Sequence, residues 1–72
     1  MNITAKIKNM NCQHCVDKIT KSLKKTLKIK KIALDLETEA LNCVVKDQMQ
    51  LEELKILIEE LGYQIQEIKI EN

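Results

Sequence analysis

The spacing of apolar residues in this chain switches between a period of two and a period of three to four, and it does so four times. Ile3, Ala5 and Ile7 alternate with Thr4, Lys6 and Lys8, the signature of a strand with one buried face. We assign a strand to residues 2–8. Asn9-Met10-Asn11-Cys12 breaks the alternation, after which Val16, Ile19, Leu23 and Leu27 recur at offsets of three and four, predicting a helix from Gln13 to Leu27. Its one acid, Asp17, is expected in the first turn and its lysines later, matching the sign of the helix dipole at each end. Ile32, Leu34 and Leu36, then Leu41, Cys43 and Val45, return to alternation and predict two strands joined through Thr38-Glu39-Ala40. That connection has no Gly or Asn to define its turn. Asp47 with Gln50 three residues on resembles a capping pair, and Leu51, Leu54, Ile58 and Leu61 supply a second stripe ending at Gly62, predicting a helix over 48–61. Ile65, Ile68 and Ile70 close the chain as a strand, where the step of three implies a bulge or a late start.

The resulting order, β-α-β-β-α-β, is the split βαβ pattern, an α+β ferredoxin-like sandwich. Both helices pack on one face of a four-stranded antiparallel sheet, and the polar alternate residues of the strands face water. With 72 residues the expectation is a single domain, 1–72. So short a chain buries only about 60% of the surface its unfolded form exposes, so its core must be compact. That core is aliphatic, since Tyr63 is the single aromatic residue.

No stretch of about 18 apolar residues offers a membrane span, and the start at Met1 carries no export signal. The expected compartment is therefore the cytoplasm, where thiols stay reduced, and three cysteines cannot all pair internally. The start at Met1 and the stop after Asn72 favour a free-standing protein over a domain broken from a larger one. Charge is lopsided although the formal net is +1: residues 1–31 hold nine Lys against Asp17, and the remainder holds three Lys against ten acids. Such a dipole steers association toward an acidic surface.

Chemistry concentrates in Met10-Asn11-Cys12-Gln13-His14-Cys15, where the first strand gives way to the first helix. Within a helix this spacing sets Cβ atoms about 5–6 Å apart, whereas two sulfurs sharing a metal at ~2.3 Å lie no more than roughly 4.6 Å apart. A loop-to-helix junction lets Cys12 swing toward Cys15. Unpaired amides and the dipole at the helix start are expected to lower the thiol pKa values. Soft thiolates select thiophilic ions, and two sulfurs underfill the tetrahedron of structural zinc, which points to Cu(I). An open site of this kind passes its ion on by ligand exchange.

The Met-x-Cys-x-x-Cys motif of Met10, Cys12 and Cys15, in a chain of βαββαβ length, resembles the heavy-metal-associated domain. With Val16 and the later Leu61-Gly62-Tyr63, it is similar to bacterial copper chaperones that serve copper-transporting P-type ATPases. The resemblance implies one Cu(I) per monomer held by Cys12 and Cys15, docking onto a related domain of the transporter, Met10 packed beneath the loop and Tyr63 beside the metal. Family members usually carry Gly before the Met; here it is Asn9, which bears on loop geometry.

Other readings stand beside these. Zinc, silver, cadmium or mercury are alternative cargoes. Thiol–disulfide exchange is the rival from another class, but the element order is wrong for a thioredoxin domain, and neither Trp nor Pro accompanies the pair. His14, on a forming helix between the cysteines, is read as an outward ring rather than a third ligand, with a place in a metal-bridged homodimer left open. Cys43 alternates with Leu41 and Val45 and is read as core, and Met10 as packing. Lys18, Lys21, Lys24 and Lys25 form either a solvated helix face or a docking surface for an acidic partner. With neither Arg nor stacking aromatics, nucleic acid is not expected. The expectation is a monomeric metal carrier, not an enzyme.

Overall fold

The computed structural model describes residues 1–71; Asn72, the last residue of the expected domain, lies outside the described residues. The elements run β1 (Asn2–Lys8), α1 (Gln13–Thr26), β2 (Ile32–Leu34), β3 (Ala40–Val44), α2 (Gln48–Glu60) and β4 (Gln64–Glu71). All strand pairings are antiparallel, in the order β2-β3-β1-β4. This is the expected ferredoxin-like α+β arrangement.

Alternation sets the register. Ile3 stands opposite Cys43 and Ile70, Ala5 opposite Leu41, and Ile7 opposite Ile65, so one face of the sheet turns its apolar residues toward the helices. Val16, Ile19 and Leu23 from α1, and Leu51, Leu54 and Ile58 from α2, complete a core in which all of these helical side chains are buried. Each fully buried Leu or Ile contributes about 1.5–3 kcal/mol relative to exposure. All three cysteines are free thiols.

Two helix boundaries carry defined caps. The Asp47 carboxylate accepts from the Gln50 N–H at 2.9 Å, and the Gln50 side-chain oxygen accepts from the Lys46 N–H at 2.7 Å, a reciprocal capping pair. The Gln50 amide nitrogen also donates to the Leu27 carbonyl at 3.0 Å, tying the start of α2 to the end of α1. At the far end of α2, Gly62 adopts φ 97°, its N–H returns to the Glu59 carbonyl, and the Tyr63 N–H returns to the Ile58 carbonyl. That paired closure is a Schellman motif, and it needs a left-handed residue at Gly62.

The structure departs from the sequence expectations in five places. Asp17 lies beyond the first turn of α1, which holds no acid; it accepts instead from the Gln13 side chain at 3.2 Å. Helix α1 stops at Thr26, with Leu27 as its C-cap, because Lys28 takes φ 56° and the Ile29 N–H turns back to the Leu23 carbonyl. Leu61 likewise caps α2. Strand β2 ends at Leu34, because the Asp35 carboxylate captures the N–H groups of Glu37 and Thr38 at 2.8 and 3.3 Å and closes a turn over residues 36–38. Glu39 completes the connection at φ 64°, Ala40 already belongs to β3, and Val45 lies past its end, buried all the same. The step of three in the last strand is a bulge: Lys6 pairs Gln66 and Thr4 pairs Lys69, so Glu67, at φ 51°, and Ile68 stand opposite Ala5.

Candidate metal site

Strand β1 delivers the chain to the helix mouth through Asn9, at φ 76°. Left-handed backbone is costly for most residues, but Asn tolerates it best after Gly, so Asn9 meets the conformational demand that a Gly would meet at this step. Met10 follows and is buried in the core, which anchors the loop from below. Asn11 and Cys12 then lie exposed.

Cys12 occupies the N-cap position of α1 in extended conformation, φ −161° and ψ 172°, and its side chain makes no capping hydrogen bond. The Cys15 N–H donates to the Cys12 carbonyl at 3.0 Å, so the two residues are joined through the first helical turn while the Cys12 thiol stays outside it. Cys12 is exposed and Cys15 half-buried against the core. One sulfur is thus fixed by packing and the other is free to turn toward it.

The Tyr63 hydroxyl stands beside Cys15 and is the main influence lowering that thiol, from its ordinary value to about 7. The backbone of Asn11 reinforces it, desolvation opposes it less strongly, and the backbone and thiol of Cys12 add smaller lowering effects. The same contact raises the Tyr63 hydroxyl pKa, helped by desolvation and by the charge of the two thiolates. From the sequence, the helix-start amides are the expected cause. In the structure a phenol 48 residues downstream leads instead, on the residue that follows the Schellman closure at Gly62.

His14 is exposed on the outer side of α1, and among the described residues no group of three or more His, Cys, Asp or Glu side chains comes together. Lys18, Lys21, Lys24 and Lys25 are all exposed along α1. Cys43 is buried at 4% exposure on β3, where desolvation pushes its pKa up to about 11, well above the range in which a thiol ionises readily. Backbone groups at the helix start are among the influences on Cys15, as expected, and the structure locates them at Asn11 and the N-cap Cys12. No helix among the described residues is long and apolar enough to cross a membrane.

Comparison with known proteins places the chain in a family. Residues 4–64 match the heavy-metal-associated domain. A COP-associated protein of Helicobacter felis is 31% identical over 65 residues, covering 90% of this chain and 98% of that protein. Among solved structures, the yeast copper transporter domain CCC2A, determined in apo and Cu(I)-loaded states, superposes with a TM-score of 0.82 at 18% identity over 99% of this chain and 97% of that one. The N-terminal domain of ZntA in its Zn(II) form superposes at 0.76 with 15% identity, over 90% and 88% of the two chains. At such identities the two structures speak for the fold alone, and the fold is shared by Cu(I)- and Zn(II)-loaded domains.

Proposed function

Because the chain belongs to the heavy-metal-associated domain family, we propose that it is a cytoplasmic copper(I) chaperone that carries one Cu(I) between Cys12 and Cys15 and passes it to a copper-transporting P-type ATPase or a related domain. The observation that carries this reading is a pair of thiols at an exposed helix mouth, one of them lowered to about 7, with no third side-chain ligand gathered around them among the described residues. Near neutral pH a large share of Cys15 is thiolate, the form that ligates metal. Two soft sulfurs suit a low-coordinate Cu(I) and leave a tetrahedral Zn(II) short of donors.

Transfer proceeds by ligand exchange. An incoming thiolate adds to the Cu(I), giving a three-sulfur intermediate, and Cys12 then departs, because it is the exposed and less constrained sulfur. Cys15 leaves last as a second acceptor thiolate takes its place. No electrons move and no bond within the cargo changes, so the protein acts as a carrier and not as a catalyst. Lys18, Lys21, Lys24 and Lys25 border the same helix and supply positive potential toward an acidic partner.

Competition of anaerobic, reduced protein against a graded series of Cu(I) chelators tests the proposal. Cys12→Ser and Cys15→Ser should each abolish tight retention, whereas Cys43→Ala should hold copper as the parent does. Retention of Zn(II) in preference to Cu(I) would replace the cargo, and loss of copper only in Cys43→Ala would remove the site.

A further inference from the structure

Opposite its buried stripe, α1 presents Lys18, Lys21 and Lys25, while α2 presents Met49, Glu53, Ile56 and Glu60. Both stripes follow from 3.6 residues per turn and point away from the sheet, so the outer surface of the helical layer is basic on one side and acidic on the other. Met49 is 74% and Ile56 55% exposed, two of the large apolar residues that the core does not take up. Leu27, Ile56 and Leu57 line a shallow apolar trough of about 210 Å³ between the helices, rimmed by Glu53 and Glu60. The ion pairs among the described residues are Lys6–Glu67, Lys8–Glu39 and Lys55–Glu52, so none of the charges in these two stripes is spent within the chain.

The helices run antiparallel, since the Gln50 side chain meets Leu27 at one end and Tyr63 meets Cys15 at the other. Those two contacts set Lys25 level with Glu53 and Lys18 level with Glu60 along the layer. Each charge pair is separated along its helix by the same seven residues, about 10.5 Å of rise. A two-fold axis parallel to the helices, lying on the outer face of the layer, keeps every residue at its own height and exchanges α1 with α2. It therefore lays Lys25 on the Glu53 of a second copy and Lys18 on its Glu60, twice over, and closes the two apolar troughs on each other.

We propose that the outer face of the helical layer is a self-complementary surface whose occupant is a second copy of this chain, in a two-fold dimer held by Lys18, Lys25, Glu53 and Glu60. The whole molecule measures only 30 × 22 × 18 Å, so one face covers less than a standard protein–protein interface and the dimer is weak and reversible. Exposed ion pairs supply much of the attraction, which salt screens. Both thiol loops emerge at the same end of the dimer, and three of the four lysines proposed for docking, Lys18, Lys21 and Lys25, are covered, so self-association and partner docking compete with each other. The dimer itself does not depend on the copper reading, because no metal takes part in it.

Sedimentation equilibrium of metal-free, reduced protein with chelator present, in about 20 mM and about 500 mM salt, is the test. A monomer–dimer equilibrium at low salt that shifts to monomer at high salt is expected. Lys25→Glu and Glu53→Lys should each weaken the dimer on the order of tenfold, since each turns two attractions into two repulsions. An equimolar mixture of the two variants should recover dimer, because both cross-pairs are then complementary. All four positions are exposed, and circular dichroism checks that each variant is folded. A parent that stays monomeric at low salt and millimolar concentration overturns the proposal. So do variants that dimerise like the parent, or a mixture no more associated than either variant alone.

Discussion

Cys15 and Cys43 are the same side chain in two regions of one small protein, and their acidities have been driven in opposite directions, to about 7 and about 11. At the helix mouth a phenol and two loop amides favour the thiolate. In the sheet interior no polar group answers the sulfur, and desolvation keeps the proton on. Proximity to a helix start is thus too coarse a description of what activates Cys15. The groups that lower its pKa come from the preceding loop and from Tyr63 beyond the other helix, so thiol chemistry here depends on how the second βαβ half docks on the first.

The harshest way to break the contrast is to place a charge at each end of it. Cys43→Asp buries a carboxylate opposite Ile3 and Ile32 and should cost about 3 kcal/mol or more in urea denaturation, through desolvation of an unpartnered charge. Cys12→Asp, at an exposed N-cap where a carboxylate is favoured, should change stability by less than about 1 kcal/mol and in the stabilising direction. Equal losses at the two positions would mean that the loop is packed as tightly as the sheet.

Gly62→Ala attacks the link between the regions. A Cβ there meets no atom within 4 Å, so the loss, about 1–2 kcal/mol, comes from φ 97° alone. If the Schellman closure is what holds Tyr63 against Cys15, the substitution should also raise the Cys15 pKa, followed as the pH midpoint of its alkylation. A destabilised protein with an unmoved midpoint would show that Tyr63 is positioned by its own packing.

Alkali sharpens the interior side. The Cys43 pKa is higher folded than unfolded, so above pH 9 the unfolded chain loses this proton first and binds fewer protons than the native state. Stability must then fall as pH rises from about 9 toward 11, by on the order of 1 kcal/mol after allowing for incomplete desolvation. The difference between parent and Cys43→Ala isolates it, because the remaining titrations are common to both. A constant difference across that range would place Cys43 in contact with water.

How much of this could be read from one sequence varied with the range of the interaction. The strands, both helices and the Asp47–Gln50 cap were legible, since each rests on spacing within a few residues. Even the bulge in β4 showed in the three-residue step between Ile65 and Ile68. Alternation misjudged the end of β2 for a physical reason: Leu36 packs against the core from within a turn, and period-two burial reports packing and not hydrogen-bond pairing. The Asp35 side chain that closes that turn was visible in the sequence but carries weaker turn information than Gly or Asn would. At the site, the Cys pair and the burial of Cys43 followed from local pattern. Tyr63 was placed near the metal only by family resemblance, because no periodicity joins positions 48 residues apart.

The smallest expected effect on stability is the most direct probe of the mouth. Tyr63→Phe removes one hydroxyl whose outer end reaches the thiol loop, so below pH 7, where the thiol is protonated in both states, folding free energy should move by less than about 0.5 kcal/mol while the ring keeps its packing. The Cys15 pKa should nevertheless rise toward its ordinary value, as its largest lowering influence is gone. The sign follows directly: a depressed thiol contributes to folding above its unfolded pKa near 9 and loses that contribution as pH falls through about 7, so removing the depression flattens this part of the pH–stability curve. Alkylation of Cys15 at pH 7, in a Cys12→Ser, Cys43→Ala background, should slow several-fold, with rates converging above pH 9 where both proteins are thiolate. Cu(I) retention should weaken more at pH 6 than at pH 8, because protons compete for the sulfur only where it titrates. An unchanged alkylation profile would transfer the activation of Cys15 to the Asn11 and Cys12 amides, and the contrast with Cys43 would then be a property of the loop alone.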